Sequence, residues 1–205
     1  VNLFNEWMDP RHIHTHAFGA MMDYEREHPE MWRFWRALPP KGRIGILFGS
    51  WYTDPILKRV MGHEKRAEFE RRLDRIRHFE RMLVAEGALV LKLWFHLSKP
   101  AQKKRFKELL SSRKTAWRVG PGDWERFKHY DEFVDVCEDA LRESSTGEAP
   151  WQVIEGSDPE YRSLTAGKLL LDALTARLKG AAPKVSPPAP PPKPARDLAS
   201  VGIEE

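Results

Sequence analysis

The sequence of 205 residues predicts an α/β fold in which helices flank a parallel β-sheet. Segments with strand patterns alternate along the chain with segments of helical period, an order typical of parallel sheets. Residues 88–97, ALVLKLWFHL, are almost all apolar, as expected of a central strand that is covered on both faces. Residues 64–86 carry apolar side chains three and four residues apart, which predicts a helix with one buried face.

The first quarter of the chain predicts two helices and two strands. Residues 1–8 are amphipathic and are followed by Asp9-Pro10, which ends a helix. Residues 11–19 alternate histidines with less polar residues, and this period of two favours a strand. Residues 29–40 begin near a proline and have the apolar spacing of a short helix. Residues 43–48 are an apolar run that predicts the second strand.

The rest of the chain continues the alternation. The helix over 64–86 is followed by Gly87, a residue favoured just beyond a helix end. Ser98 is placed to cap the next helix, which has Pro100 in its first turn. Beyond the central strand we expect helices over residues 99–110, 122–143 and 159–179, and a short strand over 151–156.

Composition divides the chain into a domain over residues 1–180 and a tail over 181–205. Seven prolines within 181–194 predict a semi-rigid linker of polyproline type. No run of about 18 apolar residues exists, which argues against a membrane span. The one cysteine, Cys137, excludes an internal disulfide and favours a reducing compartment, so we expect a cytoplasmic protein.

The charge is concentrated in residues 99–118, which we call the basic segment. It holds eight lysines and arginines and one glutamate, whereas the whole chain has a net charge of only +4. Such an imbalance, with Trp117 within it, suits a polyanion such as polyphosphate or nucleic acid. The alternative is a solvated helix face, but the imbalance is too large for ordinary pairing along a helix.

Three other patterns allow two interpretations each. His12, His14 and His16 alternate, so they either bind a metal from one strand face or form a polar surface. Cys137 lies on an apolar stripe, which favours core packing over reactivity. Trp32 and Trp35 are at helical spacing, which favours the core; the alternative is an aromatic face for a partner domain.

Several motifs together resemble the polyphosphate kinase type 2 family, over about residues 1–178. Early in the chain these are Asp9-Pro10-Arg11 and Leu38-Pro39-Pro40-Lys41-Gly42-Arg43-Ile44. Later ones are Phe79-Glu80-Arg81-Met82-Leu83, Arg105-Phe106, the run from Trp117 and Arg118 to Pro121 and Asp123, and Ala149-Pro150-Trp151. The resemblance implies a P-loop-kinase-like parallel sheet with a helical lid formed around the basic segment.

The family transfers phosphoryl groups between inorganic polyphosphate and a nucleotide and uses Mg²⁺. Carried over to this chain, the resemblance implies candidate polyphosphate- or nucleotide-binding residues in the lid and near strand ends. They are Arg11, Lys104, Arg105, Lys114, Trp117, Arg118 and Asp123.

Two departures from the family pattern bear on catalysis. The phosphate-binding G-x-x-x-x-G-K is absent, so the N-terminal P-loop segment is missing from this chain. The family's F-D-R-S-W-Y-N-R is replaced by a degenerate motif, Phe48-Gly49-Ser50-Trp51-Tyr52-Thr53-Asp54. Gly49 stands for the metal-binding Asp and its neighbouring Arg. Asp54 either replaces the lost carboxylate or has a role in a cap or turn.

The resemblance therefore implies one domain of a polyphosphate-dependent nucleotide phosphotransferase, similar to the degenerate first domain of the family's tandem form. We expect no catalysis and no Mg²⁺ binding by this chain alone. A second, catalytic domain would follow the proline-rich tail, and the protein would form homo-oligomers. The alternatives are a structural or oligomerisation domain with a polyanion-binding lid and a basic domain that binds nucleic acid.

Overall fold

A computed structural model describes residues 1–180, so the predicted linker over 181–205 lies outside the described residues. The strands are β1 (Ile13–Ala17), β2 (Ile44–Phe48), β3 (Lys92–His96) and β4 (Trp151–Glu155). The helices are α1 (Asn2–Trp7), α2 (Asp23–Arg26), α3 (Trp32–Trp35), α4 (Thr53–Val60), α5 (Arg66–Ala85), α6 (Lys99–Leu110), α7 (Pro121–Lys128), α8 (Tyr130–Ser144) and α9 (Pro159–Leu178). Short 3₁₀ turns occupy Pro10–His12 and Ala116–Arg118.

The strands form two parallel pairs. Strand β1 pairs with β2, with Ile13 opposite Ile44, and β3 pairs with β4, with Lys92 opposite Trp151. The α/β class and the parallel direction are therefore confirmed, but the expectation of one continuous sheet is wrong for the described residues. No strand among them hydrogen-bonds the second edge of either pair, so nothing joins the two pairs into one sheet.

The predicted central strand is shorter and more exposed than expected. Strand β3 begins at Lys92, four residues later than the apolar run. Phe95 on β3 and Val153 on β4 are 47% and 59% exposed. The expectation of cover on both faces is therefore wrong in the part of the chain that the structure describes. An apolar run alone does not reveal whether a second neighbouring strand and a covering helix are present.

The core is aromatic and is centred on α5, as its helical period predicted. Residues of α5 pack with residues before α4, within α4 and on α8. The buried cluster contains Phe34, Trp51, Tyr52, Ile56, Phe69, Leu73, Ile76, Phe79, Cys137 and Ala140. The prediction that Cys137 packs in the core is confirmed, and its burial raises the pKa of the thiol to about 12. None of the helices within residues 1–180 combines the length and apolar character needed to cross a membrane.

Three helix predictions were wrong in detail. The helix expected over 29–40 is a single turn, and it buries Phe34 while Trp35 stays 47% exposed. Pro39 disfavours a helical backbone at Leu38, the residue before it, which opposes the longer helix that the spacing predicted. Helix α4 was missed because its Thr-Asp-Pro start resembles a turn, although Pro55 lies in its first turn. The helix expected over 122–143 is divided at His129 into α7 and α8.

Candidate functional site

The carboxyl end of β2 carries Gly49 in a conformation that requires glycine. Its φ is +71°, in the left-handed region that side chains disfavour. A Cβ atom there would lie 2.9 Å from the carbonyl oxygen of Phe18. That approach is held by the Phe18 amide, which donates a 2.9 Å hydrogen bond to the Phe48 carbonyl. This position therefore cannot present a carboxylate without a local change of backbone.

The next residues of this motif turn into the core rather than towards a ligand. The Ser50 hydroxyl accepts a 3.4 Å hydrogen bond from the Tyr52 amide, which closes the turn into α4. Trp51 and Tyr52 are only 8% and 4% exposed. Both donate to one carboxylate oxygen of Glu80 on α5, Trp51 Nε1 at 3.0 Å and Tyr52 OH at 2.8 Å.

Glu80 also forms a fully buried ion pair with Lys92, the first residue of β3. Lys92 Nζ donates to Glu80 Oε2 at 2.8 Å and to the Ser144 carbonyl at 2.7 Å. Burial lowers the pKa of Lys92, and the charge of Glu80 opposes that effect. Burial also raises the pKa of Tyr52 well above its ordinary value, so its hydroxyl stays protonated.

Trp151 completes this arrangement, which we call the buried polar network. Its indole Nε1 donates to the Ser144 hydroxyl at 2.9 Å, and its ring lies 5.2 Å from Lys92 Nζ. The network joins the start of α4 to α5, β3, α8 and β4. The family-like motifs contribute Trp51, Tyr52, Glu80 and Trp151 to this network, and its hydrogen bonds occupy their polar atoms. These motif residues therefore make contacts that stabilise the fold, and their polar atoms are not open to a substrate.

Asp54 faces a second set of charges, away from the end of β2. Its carboxylate lies 2.6 Å from Arg72 and 2.9 Å from Lys58. Arg72, nearly buried, also contacts Glu30 and Glu64. Partial burial works to raise the pKa of Asp54, but hydrogen bonds from Arg72 and Lys58 outweigh it and the pKa is lowered. Asp54 is thus held ionised by its cations and acts as neither a helix cap nor a free metal ligand.

Within residues 1–180, no group of side chains is arranged as an evident Mg²⁺ site. Among the described residues, no three His, Cys, Asp or Glu side chains are grouped so as to hold a metal ion. Mg²⁺ requires carboxylate or similar oxygen ligands. At the end of β2, where the family pattern has a carboxylate, this chain has Gly49. The Asp54 carboxylate is already ion-paired with Arg72 and Lys58. His12 lies in a 3₁₀ turn against Arg43, apart from His14 and His16 on β1, so the three histidines form no ligand group.

The basic segment contains helix α6 and the 3₁₀ turn after it. Ser98 caps α6 as predicted, because its hydroxyl accepts a 3.4 Å hydrogen bond from the Ala101 amide. Lys104 and Arg105 share one carboxylate, Glu108, at 4.0 and 3.6 Å. Of the other six cations, Lys99 pairs with Asp131, and the remaining five have no carboxylate within salt-bridge distance among residues 1–180. Those five are Lys103, Lys107, Arg113, Lys114 and Arg118.

Trp117 brings an exposed aromatic ring into this positive surface. The side chain is 77% exposed, which is unusual for so large an apolar group. Its Nε1 donates to the Lys114 carbonyl at 3.0 Å, and the Arg118 guanidinium lies 5.4 Å from its ring centroid. The structure therefore brings Lys114, Trp117 and Arg118 together at one exposed place.

Asp123 has a structural role at the start of α7. Its carboxylate accepts from the Gly120 amide at 2.8 Å and from Arg126 at 2.7 Å. The hydrogen bond from the Gly120 amide is the main cause of its lowered pKa. Phe106 packs on Trp124 at 5.2 Å between ring centroids, which fixes α6 against α7. Asp123 thus helps to position the basic segment without extending its positive surface.

Arg11 lies away from the other predicted site residues. It precedes β1, at the amino end of that strand, and its 84% exposed side chain is paired with Asp9 at 2.7 Å. The carboxyl ends of parallel strands, where α/β proteins bind ligands, lie at the opposite edge. The structure therefore groups residues of the basic segment but does not bring Arg11 to them.

Sequence reasoning missed two polar residues, Lys92 and Arg72, that organise the buried charges. Lys92 is the one charged residue in the apolar run 88–97, and that isolation is a signal of a buried, paired charge. Arg72 had no such signal, because it lies in a helix rich in arginine and glutamate whose other charges are mostly exposed.

Comparisons with known proteins agree on one family. A family model described as Polyphosphate kinase 2 (PPK2) matches residues 1–182. The polyphosphate:AMP phosphotransferase of Pseudomonas aeruginosa is 49% identical over 178 residues, covering 87% of this chain and 36% of that protein. The AMP/ADP-polyphosphate phosphotransferase of Meiothermus ruber is 32% identical and covers 85% of this chain and 65% of that protein.

A solved structure is similar over most of the chain. The crystal structure of Polyphosphate Kinase 2 from Arthrobacter aurescens TC1 matches with a TM-score of 0.83 and 33% identity. The match covers 90% of this chain and 65% of the other. The 205 residues thus span about a third of the Pseudomonas aeruginosa relative and slightly less than two thirds of the other two proteins.

Proposed function

The chain belongs to the polyphosphate kinase 2 family, and we propose that it is one domain of a polyphosphate-dependent nucleotide phosphotransferase. We propose further that it binds polyphosphate through the basic segment and does not itself transfer phosphoryl groups. AMP or a related nucleotide is the proposed acceptor of the whole protein, since relatives bear such names. A second, catalytic domain that follows the proline-rich tail over 181–205 and a cytoplasmic location complete the proposal.

One observation carries the binding half of the proposal. Five cations of the basic segment have no carboxylate partner among the described residues, and one of them, Arg118, lies over the exposed ring of Trp117. Unpaired cations spread along one helix and the turn after it suit a chain of phosphates, because each phosphate can take the place of a missing carboxylate. In the fold expected for this family, the basic segment would act as a lid over the strand ends.

The absence of catalysis is proposed from the end of β2. Phosphoryl transfer depends on fixed cations around the phosphates and a carboxylate that holds Mg²⁺. A side chain at Gly49 would be strained and would meet the Phe18 carbonyl, and the Asp54 carboxylate is already ion-paired with Arg72 and Lys58. The 205 residues also contain no G-x-x-x-x-G-K to surround the phosphates.

Binding is tested with fluorescently labelled polyphosphate and the 205-residue chain over a range of salt concentrations. The Arg105→Ala, Arg118→Ala double variant should bind more weakly, and its salt dependence should fall by about two in log–log slope. The matched control, Arg66→Ala with Arg81→Ala, removes the same charge from the exposed face of α5. Equal losses of binding in the two double variants would mean that only net charge matters. Unchanged binding in the Arg105→Ala, Arg118→Ala variant would exclude the basic segment as the polyphosphate-binding site.

Competition separates the proposal from the nucleic-acid alternative. Unlabelled polyphosphate should displace the probe at a lower phosphate concentration than single-stranded DNA does. DNA that competes equally well or better would favour the nucleic-acid domain instead. A separate assay with polyphosphate, Mg²⁺ and AMP or ADP should give no product above the protein-free rate. Turnover above that rate would contradict the non-catalytic role.

A further inference from the structure

A small cavity lies at the carboxyl end of β1, beside helix α3. Its volume is about 190 Å³, and the residues around it include His16, Phe18, Trp32, Arg33 and Arg36. Open α/β sheets bind ligands outside the carboxyl ends of their strands, so the cavity lies where a ligand is expected. Within residues 1–180, the residues that line it belong neither to the buried polar network nor to the basic segment.

Arg33 is the first sign that this cavity holds a ligand. Its side chain is only 12% exposed, and a guanidinium carries five N–H donors. Nη2 donates to the Gly19 carbonyl at 3.3 Å. Nε is the one buried side-chain nitrogen or oxygen among the described residues that has no hydrogen-bond partner. Because buried polar groups are normally hydrogen-bonded, the donors of Arg33 lack acceptors that a ligand can supply.

Arg72 shows what a fully paired buried arginine looks like in this molecule. Its side chain is 9% exposed and has three carboxylates within salt-bridge distance. Arg33 has one, since its Nε lies 3.3 Å from Glu25 Oε1 without the alignment of a hydrogen bond. A buried charge is costly unless it is both paired and hydrogen-bonded. The pairing of Arg33 is therefore incomplete without a further group in the cavity.

Arg36 brings a second cation to the same cavity. Its guanidinium lies 4.7 Å from the ring centroid of Trp32, and this contact orients it. Among residues 1–180, no carboxylate lies within salt-bridge distance of Arg36. Glu25 is then the one lining carboxylate for two guanidiniums, which leaves a net positive charge. Water can accept their hydrogen bonds but cannot neutralise that charge, whereas an anion does both.

The size and shape of the cavity restrict the class of anion. Sites for drug-sized molecules occupy roughly 300–1,000 Å³, so this cavity is too small for a whole nucleotide or a chain of phosphates. The arginine fork matches phosphate and carboxylate oxygens. His16 and the two arginines come from different elements, so they approach a central group from different directions. A tetrahedral oxyanion has enough oxygens for all three side chains, whereas a carboxylate has only two.

We propose that this cavity is a binding site for a small free oxyanion, with orthophosphate as its ligand. Arg33 and Arg36 donate to its oxygens, and His16 contacts a further one. The bound anion thereby joins α3 to the end of β1. The domain responds to free orthophosphate at this site, which is separate from the basic segment. The proposal does not depend on polyphosphate binding.

Isothermal titration calorimetry of the 205-residue chain with sodium orthophosphate, at constant ionic strength, tests the proposal. One site with a dissociation constant of about 1 mM or below is expected. Arg36→Gln should raise that constant about tenfold or more, because it removes a charge-assisted contact. Arg81→Gln, at an exposed position on α5, is the matched control and should leave it unchanged.

A second variant addresses the buried arginine, and circular dichroism verifies that each variant is folded. Arg33→Lys keeps the positive charge but loses the planar fork, so it should also weaken binding. In nitrogen-15 NMR spectra, the Nε–Hε signal that this variant lacks belongs to Arg33. That signal should shift when orthophosphate is added to the unsubstituted chain, whereas the signal missing from Arg81→Gln should not.

Three results would overturn the proposal. The first is the absence of both binding heat and a shift of the Arg33 signal. The second is a shift with AMP but none with orthophosphate, which would assign the cavity to the phosphate of a nucleotide. The third is binding that Arg36→Gln leaves unchanged and that Arg105→Ala with Arg118→Ala removes, since that anion lies in the basic segment. Orthophosphate binding that persists in this double variant, while polyphosphate binding falls, is the expected result.

Discussion

The buried polar network and the basic segment both consist of charged and aromatic side chains, yet their surroundings differ. In the network, the Lys92 ammonium has a carboxylate, a carbonyl and a hydroxyl as partners. In the basic segment, five cations have no carboxylate partner within residues 1–180, and Trp117 is exposed. The difference separates charges that hold the fold from charges that are available to a ligand. Substitutions in the network should accordingly lower stability, whereas substitutions in the basic segment should weaken binding and leave stability nearly unchanged.

The largest effect on stability should come from breaking the network. Glu80→Gln leaves the Lys92 ammonium buried without its counter-charge, so we expect unfolding to become easier by about 3–5 kcal/mol. Urea denaturation at neutral pH measures this change. The control is Glu70→Gln, which removes an exposed partner of Arg66 and should cost about 1 kcal/mol at most. Similar losses in the two variants would contradict the role given to the network.

A smaller loss is expected at the turn that leads into the network. Gly49→Ala combines an unfavourable φ with a collision against the Phe18 carbonyl, so we expect a loss of about 1–3 kcal/mol. Gly42→Ala is the matched control, because Gly42 has a φ of +80° but no atom within 4 Å of its added Cβ. Urea denaturation should show the larger loss at Gly49. An equal loss at both positions would mean that the contact with Phe18 has no effect.

The ion pair of Asp54 with Arg72 should contribute less, because Asp54 is 45% exposed. Asp54→Asn should cost about 1 kcal/mol or less. The folded-state pKa of Asp54 is lowered, so the carboxylate stabilises the fold above its unfolded pKa, about 3.9. The difference between the two proteins should be constant from neutral pH to about pH 5 and shrink as the pH falls through the folded pKa. A difference that grows at low pH would contradict this assignment.

The smallest effect on stability should come from the basic segment itself. Arg118→Ala removes an exposed cation without a carboxylate partner among the described residues, so the free energy of unfolding should change by about 0.5 kcal/mol at most. The same substitution should weaken polyphosphate binding. Paired measurements of urea denaturation and binding test this contrast. A large loss of stability with intact binding would remove the distinction between the two regions.

Local patterns in the sequence predicted the elements that local physics determines. The apolar spacing of α5 and the Ser98 cap of α6 depend on neighbouring residues, and both were predicted correctly. Strand direction also followed from the alternation of strands and helices. The family-like motifs around Trp51 and Glu80 were recognised, but recognition did not reveal that the two residues are hydrogen-bonded to each other.

Features that depend on distant residues could not be predicted in this way. Lys92 contacts Glu80 and Ser144, twelve and fifty-two residues away in the chain, and no local pattern records those distances. The division into two strand pairs likewise depends on which strands hydrogen-bond to each other, and no local pattern records this. Trp35 illustrates the same limit, since its spacing fitted a buried face but the proline-bounded turn exposes it. Burial is decided by the neighbours that the fold brings together.

The backbone at Gly49 has a consequence for the evolutionary history of this family member. A point mutation that introduces a carboxylate at Gly49 should cost stability, because the added Cβ atom meets the Phe18 carbonyl and the backbone has a positive φ. A side chain here would fit without strain only if the Phe18 carbonyl were displaced at the same time. Selection for a stable domain should therefore preserve the glycine whatever the chemistry of the neighbouring surface.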